Sequence, residues 1–250
     1  MSLLEIALLA VVQGITEFLP ISSWAHLIIV REIAGWPDPG LAFEVAVHAG
    51  TLVAVVTYFR RDLLMAGQGV VALLRGRREP GALLALNLLL ATVPVLIAGY
   101  LAADAIESGL RTVRVIAWTT LGFGLLLYAA DRLGATARSV ERMGVGSALA
   151  IGLAQALALV PGTSRSGITM TAARALGLGR RDAARFSMLL SVPVTVAAVA
   201  LSAHKLYRQG DVMLGADAAL AAGLSLVAAL AAIALLMRWL ERASFTPFVV

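Results

Sequence analysis

The chain has 250 residues, of which 60% are apolar and only 14% are charged, and its mean hydropathy is +0.90. A soluble domain carries about 25% charged residues, so this composition excludes an ordinary water-soluble protein. The absence of cysteine excludes disulfides, thiolate nucleophiles and cysteine-based metal sites. The net charge of +5 comes from arginines in short segments between apolar stretches, where it indicates membrane orientation rather than nucleic acid binding.

The first predicted element, an apolar segment over residues 3–19, is too short for a full membrane span, which takes about 20 apolar residues. No basic residue precedes it, and Gln13 and Glu17 interrupt it, so we do not expect a cleavable signal peptide. The segment ends at Pro20, which a cluster of hydroxyl residues follows. Because irregular backbone at membrane depth must be buried in protein or line a cavity, this pattern predicts a re-entrant helix–loop–helix hairpin.

A first polar motif lies in this hairpin. Gln13 and Glu17 are one helical turn apart and share a face, Ser22 or Ser23 is placed to N-cap the next helix, and His26 follows one turn after Ser22. An amide, a carboxylate, two hydroxyls and an imidazole are therefore expected around one membrane-embedded turn. Ionisable groups inside a membrane are costly and usually functional, so these residues are candidates for chemistry.

Five longer apolar stretches follow, and each is close to the length that crosses a bilayer. The first begins at Phe43 and carries Glu44 and His48, one helical turn apart. These two side chains either line the site or lie at the membrane interface. The stretches occupy residues 43–59, 82–103, 113–130, 186–203 and 214–237.

A second polar motif lies between the third and fourth stretches. The apolar segment 147–160 is again too short to span and meets Pro161, so it predicts a second re-entrant hairpin. Free N–H groups where a helix starts bind anions, glycine lets backbone approach a ligand closely, and arginine grips phosphate bidentately. Arg165 needs a partner, and Glu17 and a phosphate are the candidates. The predicted phosphate-binding residues are Gly162, Thr163, Ser164, Arg165, Ser166, Gly167 and Thr169.

The two hairpins indicate an internal duplication. Each precedes a span that starts with phenylalanine, at Phe43 and Phe186, and an odd number of spans separates the hairpins, which places them on opposite faces. We expect an all-α, polytopic membrane helix bundle with two re-entrant helix–loop–helix hairpins in an inverted-topology repeat. It forms a single membrane domain over 1–250, with repeat 1 at about 1–130 and repeat 2 at about 146–250. The second copy has one span fewer, so we expect its last helix to be missing.

Basic residues predict the orientation of this bundle. The loops expected on one face hold most of the 20 Lys and Arg residues, and the positive-inside rule makes that face cytoplasmic. The first hairpin then lies on the outer side. The arginine-rich loops are 60–80, 131–147, 174–185 and 238–250, whereas the opposite face receives Arg31, Arg111, Arg114, Lys205 and Arg208.

At these motifs the sequence resembles the bacterial undecaprenyl-diphosphate phosphatase family of the bacitracin-resistance type. The resembling stretches, in an order and spacing that match along nearly the whole chain, are QGITEFLPISSWAHL, FEVAVHAGTLVAVV, VPGTSRSGIT and SFTPF. The resemblance implies a periplasm-facing site in the bacterial inner membrane that removes the terminal phosphate of a C55 isoprenoid diphosphate with Mg²⁺ or Ca²⁺. It assigns Glu17 and Gln13 to the cation, although Gln13 stands where many members have Glu and His48 stands where Gln is frequent.

The mechanism expected from this resemblance is in-line displacement at the terminal phosphate. Arg165 and N–H groups hold the phosphate, and Glu17 binds the cation. His26 is favoured as nucleophile or general acid–base because an imidazole titrates near neutrality. The alternatives for the attacking group are Ser22, Ser23, Ser164 and an activated water.

The competing hypothesis is a transporter or flippase for an anionic polyprenyl lipid. Inverted repeats with helix ends that meet inside the membrane are typical of transporters, and the same arginine and hydroxyls can bind a phosphate without cleaving it. Under either hypothesis the expected partners are a polyprenyl diphosphate and membrane lipids, with no nucleic acid. A homodimer is left open.

Overall fold

The computed structural model describes residues 1–77, 79–110, 112–134, 138–209 and 215–249. In these ranges every regular element is helical, apart from one isolated bridge between Arg138 and Leu178, so the all-α prediction is confirmed there. Arg78 and Arg111, which entered the orientation argument, lie outside the described residues. The α-helices are α1 Leu3–Thr16, α2 Ser23–Ala34, α3 Gly40–Tyr58, α4 Arg60–Leu74, α5 Pro80–Gly109, α6 Val113–Leu133, α7 Val145–Ala156, α8 Arg165–Ala175, α9 Arg180–Gln209 and α10 Ala216–Trp239.

Helices α3, α5, α6, α9 and α10 are long and apolar enough to cross a membrane. They coincide with the five predicted apolar stretches, although residue 214 lies outside the described residues. Helix α9 starts at Arg180, before the apolar stretch that predicted it, because ion pairs hold its charged first turns. Arg180 pairs with Asp131 at 2.7 Å, and Arg185 pairs with Asp62.

The short helices α1 and α7 each end in a proline-containing turn that leads into another short helix, α2 or α8. Serine caps start both of these second helices. Ser22 accepts a hydrogen bond from the N–H of Ala25 at 3.3 Å, and Ser164 accepts one from the N–H of Gly167 at 3.1 Å. The predicted capping of α2 is therefore confirmed, and both polar motifs form the tips of helical hairpins.

Helix α4 corrects the expectation of a loop over residues 60–80. It continues the chain after α3 with only Phe59 between the two helices. Its buried side consists of the small residues Ala66, Gly69 and Ala72, which pack against α5. A search for stretches of about 20 apolar residues passes over this helix, because it has only 15 residues and begins with three charged ones.

Two close helix contacts hold the first arm of each hairpin. Helix α1 packs on α10, where a Cβ added to Gly14 would lie 2.6 Å from a carbonyl oxygen of Ser225. Helix α7 packs on α5, where a Cβ on Gly152 would lie 2.5 Å from the carbonyl oxygen of Ala91. Small residues that let backbones touch are the usual basis of membrane helix packing, and here they fix where the hairpin tips lie.

Candidate active site

The tips of the two hairpins are in contact, although 148 positions separate their charged residues. Arg165, the first residue of α8, donates through Nη2 to Oε1 of Glu17 at 3.0 Å. Ser166 donates through Oγ to the backbone oxygen of Leu19 at 2.6 Å. The side chains of Glu17 and Arg165 are only 10% and 16% exposed, so the ion pair lies within the protein. Glu17 is thus the partner of Arg165, one of the two candidates that the sequence offered.

The two carboxylate oxygens of Glu17 serve different neighbours. Oε1 accepts from Arg165, whereas Oε2 accepts from Nε2 of Gln13 at 2.8 Å and from Oγ of Ser23 at 3.2 Å. A buried charge is tolerated when it is paired and hydrogen-bonded, and these three donors satisfy that condition. Of the first polar motif, Gln13 and Ser23 therefore converge on the carboxylate of Glu17.

Two polar atoms beside this ion pair have no hydrogen-bond partner among the described residues. They are Nη1 of Arg165 and Oγ1 of Thr163, and both are buried. Roughly 90% or more of buried polar groups in proteins are hydrogen-bonded, so we interpret these two as groups that face a ligand or water. Both residues line a cavity of about 280 Å³ at the hairpin tips, together with Glu17, Ser22, Ser23 and Ser164.

The loop before α8 is fixed by α6. Gly162 has a φ of +89°, a conformation that favours glycine. The carbonyl oxygens of Pro161 and Gly162 accept hydrogen bonds from Thr119 and Thr120 of α6 at 2.7 Å and 3.0 Å. Sequence reasoning missed these threonines, and the only signal for them was a pair of hydroxyls inside an apolar span. The loop in turn presents the first N–H groups of α8, which have no intrahelical partners.

Ser166 and Thr169, both predicted to bind phosphate, are buried and bonded to protein groups. Ser166 joins the two tips through Leu19, and Oγ1 of Thr169 lies 2.6 Å from Oγ of Ser187 on α9. Neither side chain belongs to the described lining of the cavity. Gly162 lines it, whereas Gly167 lines an adjacent cavity. As phosphate ligands these residues stay predictions.

His48 and His26, the two histidines that the sequence offered as candidates, have different surroundings. His48 of α3 lines the cavity that contains Glu17, and its Nε2 lies 3.9 Å from Oε2 of Glu17 and 3.2 Å from Nε2 of Gln13. His26 of α2 lines the adjacent cavity of about 330 Å³, which shares Ser22 with the first. The structure thus places His48 beside the Glu17 carboxylate. The sequence had left open whether His48 lines the site or lies at the membrane interface. Its spacing from Glu44 at the start of α3 was the available signal.

A divalent cation is expected here from the resemblance, and the donors present permit a test of that expectation. No group of three or more carboxylate, imidazole or thiolate side chains that could hold a metal occurs in the part of the chain that the structure describes. Glu17 supplies one carboxylate, Gln13 one amide and His48 one imidazole. This set is too small for the 6–8 oxygen ligands of an all-protein Ca²⁺ cage, whereas Mg²⁺ often binds through one or two carboxylates plus substrate phosphates. The residues fit a cation shared with a bound phosphate.

Comparison with known proteins gives consistent matches along the chain. The family model of the bacitracin resistance protein BacA matches residues 6–250. The chain is similar to the undecaprenyl-diphosphatase of Roseobacter denitrificans, with 48% identity over all of this chain and 94% of that protein. It is similar to that of Dinoroseobacter shibae, with 50% identity over the same shares. The undecaprenyl-diphosphatase of Alcanivorax borkumensis is 53% identical over 97% of this chain and 92% of its own length.

Proposed function

Since this chain belongs to the family of the bacitracin resistance protein BacA, we propose that it hydrolyses undecaprenyl diphosphate to undecaprenyl phosphate and inorganic phosphate. Relatives with about half of their residues identical over the full chain are named for the diphosphatase activity. The cavity at the hairpin tips is the proposed site of the reaction, and its product is the lipid carrier returned to cell-wall synthesis.

The observation that best supports the proposed site is that one nitrogen of the Arg165 guanidinium, Nη1, has no partner among the described residues. Its Nη2 is held by Glu17 at 3.0 Å, while its Nη1 is buried and has no partner among the described residues. An arginine so held is oriented before any ligand arrives. Guanidinium groups bind phosphate oxygens with strong charge-assisted hydrogen bonds, so a terminal phosphate is the ligand that satisfies Nη1.

Phosphoryl transfer needs positioning and charge stabilisation more than covalent chemistry from the protein. In the proposed mechanism Arg165 and the hydroxyl of Thr163 hold the terminal phosphate, and the first N–H groups of α8 add the positive end of the helix dipole. Of these donors, we expect the charged Arg165 to contribute about 10²- to 10³-fold in rate. Glu17 keeps Arg165 in place. Bound beside the diphosphate, a divalent cation held by Glu17 and Gln13 would neutralise charge.

The attacking group is the part of the mechanism for which the site offers several candidates. Ser23 donates to Oε2 of Glu17 at 3.2 Å, which places a hydroxyl and a carboxylate base together. His26 lies in the adjacent cavity with Ser22, and Ser164 lines both cavities. Rapid quenching in acid and in alkali separates the three classes, since phosphoserine survives acid, phosphohistidine survives only alkali, and direct attack by water leaves no phosphoenzyme.

The membrane arrangement is also part of the proposal. Five helices can cross a membrane, whereas α1 and α7 are shorter apolar helices, which supports re-entrant hairpins in a multi-pass protein. The matching order of α1–α3 and α7–α9, and the packing of α1 on α10 and α7 on α5, support an inverted repeat. We place the site toward the periplasm of the bacterial inner membrane because the arginine-rich loops predict the opposite face to be cytoplasmic.

A transporter or flippase is the second candidate, and one observation favours it. The adjacent cavity of about 330 Å³ shares Ile21, Ser22, Gly162 and Ser164 with the first, so the two cavities adjoin at the hairpin tips. A carrier would move the intact diphosphate lipid between leaflets and release no phosphate. Reconstituted vesicles that hold the diphosphate lipid in one leaflet separate the two activities.

The test of the phosphatase is phosphate release from undecaprenyl diphosphate by the purified chain in detergent. We expect release that EDTA abolishes and Mg²⁺ or Ca²⁺ restores. Glu17→Gln and Arg165→Ala are expected to reduce it by at least about 10²-fold. Thr171→Val is a matched control, since its hydroxyl donates to the carbonyl of Gly167 within α8. Folded wild-type protein that releases no phosphate would reject the phosphatase and favour the carrier.

A further inference from the structure

His48 is held in one orientation and one tautomer. Its Nδ1 lies 2.7 Å from the backbone oxygen of Glu44, one turn earlier on α3. A carbonyl oxygen can only accept, so Nδ1 carries the proton and Nε2 offers a lone pair to Gln13 and Glu17. Metal-binding histidines almost always donate their other ring N–H to a carboxylate, a backbone carbonyl or water, and His48 has this arrangement.

Gln13 contacts both of the acceptor atoms that a cation would use. Its amide Nε2 is 2.8 Å from Oε2 of Glu17 and 3.2 Å from Nε2 of His48, and those two acceptors are 3.9 Å apart. The amide thus places partial positive charge against two lone pairs. A half-turn of the same amide presents Oε1 instead of Nε2, which makes Gln13 a third donor of a lone pair.

A cation at Oε2 of Glu17 is compatible with a phosphate bound by Arg165. Arg165 uses Oε1, whereas Gln13 and His48 lie on the side of Oε2. A cation at Oε2 therefore leaves the ion pair with Arg165 in place. Gln13 is only 1% exposed and the Glu17 side chain 10%, whereas the His48 side chain is 37% exposed, so a cation here is shielded from water on the side of Gln13 and Glu17 and open to it on the side of His48.

We propose that Gln13, Glu17 and His48 bind one divalent first-row transition-metal ion, with His48 as a nitrogen ligand. The inference rests on the proposed function, because phosphate oxygens of the substrate complete the coordination. Imidazole is a ligand suited to transition metals, whereas Ca²⁺ and Mg²⁺ take oxygen ligands. This carboxylate, amide and imidazole set accordingly favours ions such as Mn²⁺ and Zn²⁺ over Ca²⁺.

His26 provides a matched control within the same chain. Its Nδ1 lies 2.7 Å from the backbone oxygen of Ser22, which is the same local geometry as that of His48 and Glu44. The described lining of its cavity contains no carboxylate. Substitution of His26 therefore tests the effect of losing any histidine, whereas substitution of His48 tests the loss of the histidine beside Glu17.

The test uses the full chain in detergent with Mn²⁺ alone as the probe. Electron paramagnetic resonance of free Mn²⁺ gives the dissociation constant, and electron spin echo envelope modulation detects nitrogen bound directly to the ion. We expect a nitrogen signal in wild type and in His26→Gln. In His48→Gln the signal is lost and Mn²⁺ binds about 10- to 100-fold more weakly. His48→Asp retains Mn²⁺ binding without the nitrogen signal.

Two results would overturn the site: a nitrogen signal that persists in His48→Gln, or wild-type protein with no nitrogen signal. Thermal unfolding verifies that each variant is folded, and His48→Asp supplies the test if His48→Gln is not. Phosphate release with Mg²⁺ is measured on the same samples. In wild-type protein, release without a nitrogen signal rejects this metal site and keeps the phosphatase, whereas a nitrogen signal without release keeps the site and rejects the phosphatase.

Discussion

Two arginines at opposite ends of α8 are both buried beside a carboxylate, yet their hydrogen bonding differs. Arg174 is fully buried and bonds to Asp131 and to the backbone oxygens of Leu178 and Gly134. Arg165 is held by Glu17 on one side only, and its Nη1 has no partner among the described residues.

This difference distinguishes a structural arginine, Arg174, from the one that we propose binds a ligand, Arg165. Burying a guanidinium is costly unless its donors are satisfied. Arg174 meets this requirement with protein groups, so it connects α6, α8 and the turn before α9. Arg165 leaves one buried donor without a partner among the described residues and beside a cavity, which is the basis for proposing a phosphate there.

Arg174→Ala is expected to have the largest effect on stability. It leaves Asp131 and several carbonyl oxygens buried with fewer donors, and breaking a buried pair costs about 3–5 kcal/mol. Arg180 still contacts Asp131 at 2.7 Å, which favours the lower end of that range. Equilibrium unfolding in mixed micelles measures the loss, and phosphate release per folded molecule is expected to stay unchanged. A loss below about 1 kcal/mol contradicts the structural role.

Arg165→Lys is expected to show the reverse pattern. Lysine keeps the charge beside Glu17 but lacks the planar fork that contacts Glu17 and a phosphate together. We expect kcat/KM to fall by about 10²- to 10³-fold, with a change in unfolding free energy below about 1 kcal/mol. Arg174→Lys is the matched control and is expected to lose stability rather than activity. If both variants lose only stability, the distinction between the two arginines is wrong.

A pair of threonines shows the same contrast between an unpaired and a paired group, with smaller expected effects. Oγ1 of Thr163 is buried without a partner, whereas Oγ1 of Thr169 lies 2.6 Å from Oγ of Ser187. Thr163→Val is expected to lower activity about five- to tenfold without loss of stability, because one hydrogen bond contributes about 1 kcal/mol. Thr169→Val is expected to lose about 1–3 kcal/mol of stability by leaving its neighbours unsatisfied. Kinetics and unfolding on both variants test this.

The smallest expected effect lies at Glu141, an exposed residue in the segment between α6 and α7. Arg185 donates to Glu141 at 2.6 Å, and this hydrogen bond holds the pKa of the Glu141 carboxyl below its ordinary value. A lowered folded pKa stabilises the protein above the unfolded pKa, and the contribution is lost as pH falls through the folded value. Glu141→Gln is therefore expected to cost about 0.2–1 kcal/mol near neutral pH and nothing in strong acid. A difference that persists in acid contradicts this origin.

Local features of the sequence were sufficient for several parts of the molecule. Five apolar runs of span length predict five helices because length and hydrophobicity alone decide whether a helix can cross a bilayer. The cap at Ser22 follows from a hydroxyl after a proline turn. Glu17 was one of the two predicted partners of Arg165, because an apolar protein contains few carboxylates that can pair with a buried arginine.

Other parts depend on packing that no local pattern encodes. Helix α4 is shorter than a membrane span, and the packing of its small residues against α5 stabilises it. Which histidine meets Glu17 depends on how α2 and α3 are rotated about their axes. Helix α3 packs closely on α10, as α1 does, and that shared neighbour brings His48 to Glu17. The same reasoning applies to Thr119, whose bond to the loop at Pro161 joins distant segments.

The buried carboxylate of Asp131 also sets a condition on biosynthesis. Its donors are Arg174, Arg180 and the backbone N–H of Phe245, and Phe245 is translated 114 residues after Asp131. When Asp131 is added to the chain, none of these donors has yet been synthesised. An unpaired aspartate is costly inside a membrane, so we expect this end of α6 to stay near the headgroups until later segments arrive. The order of translation therefore makes the cluster around Asp131 one of the last parts of the fold to form.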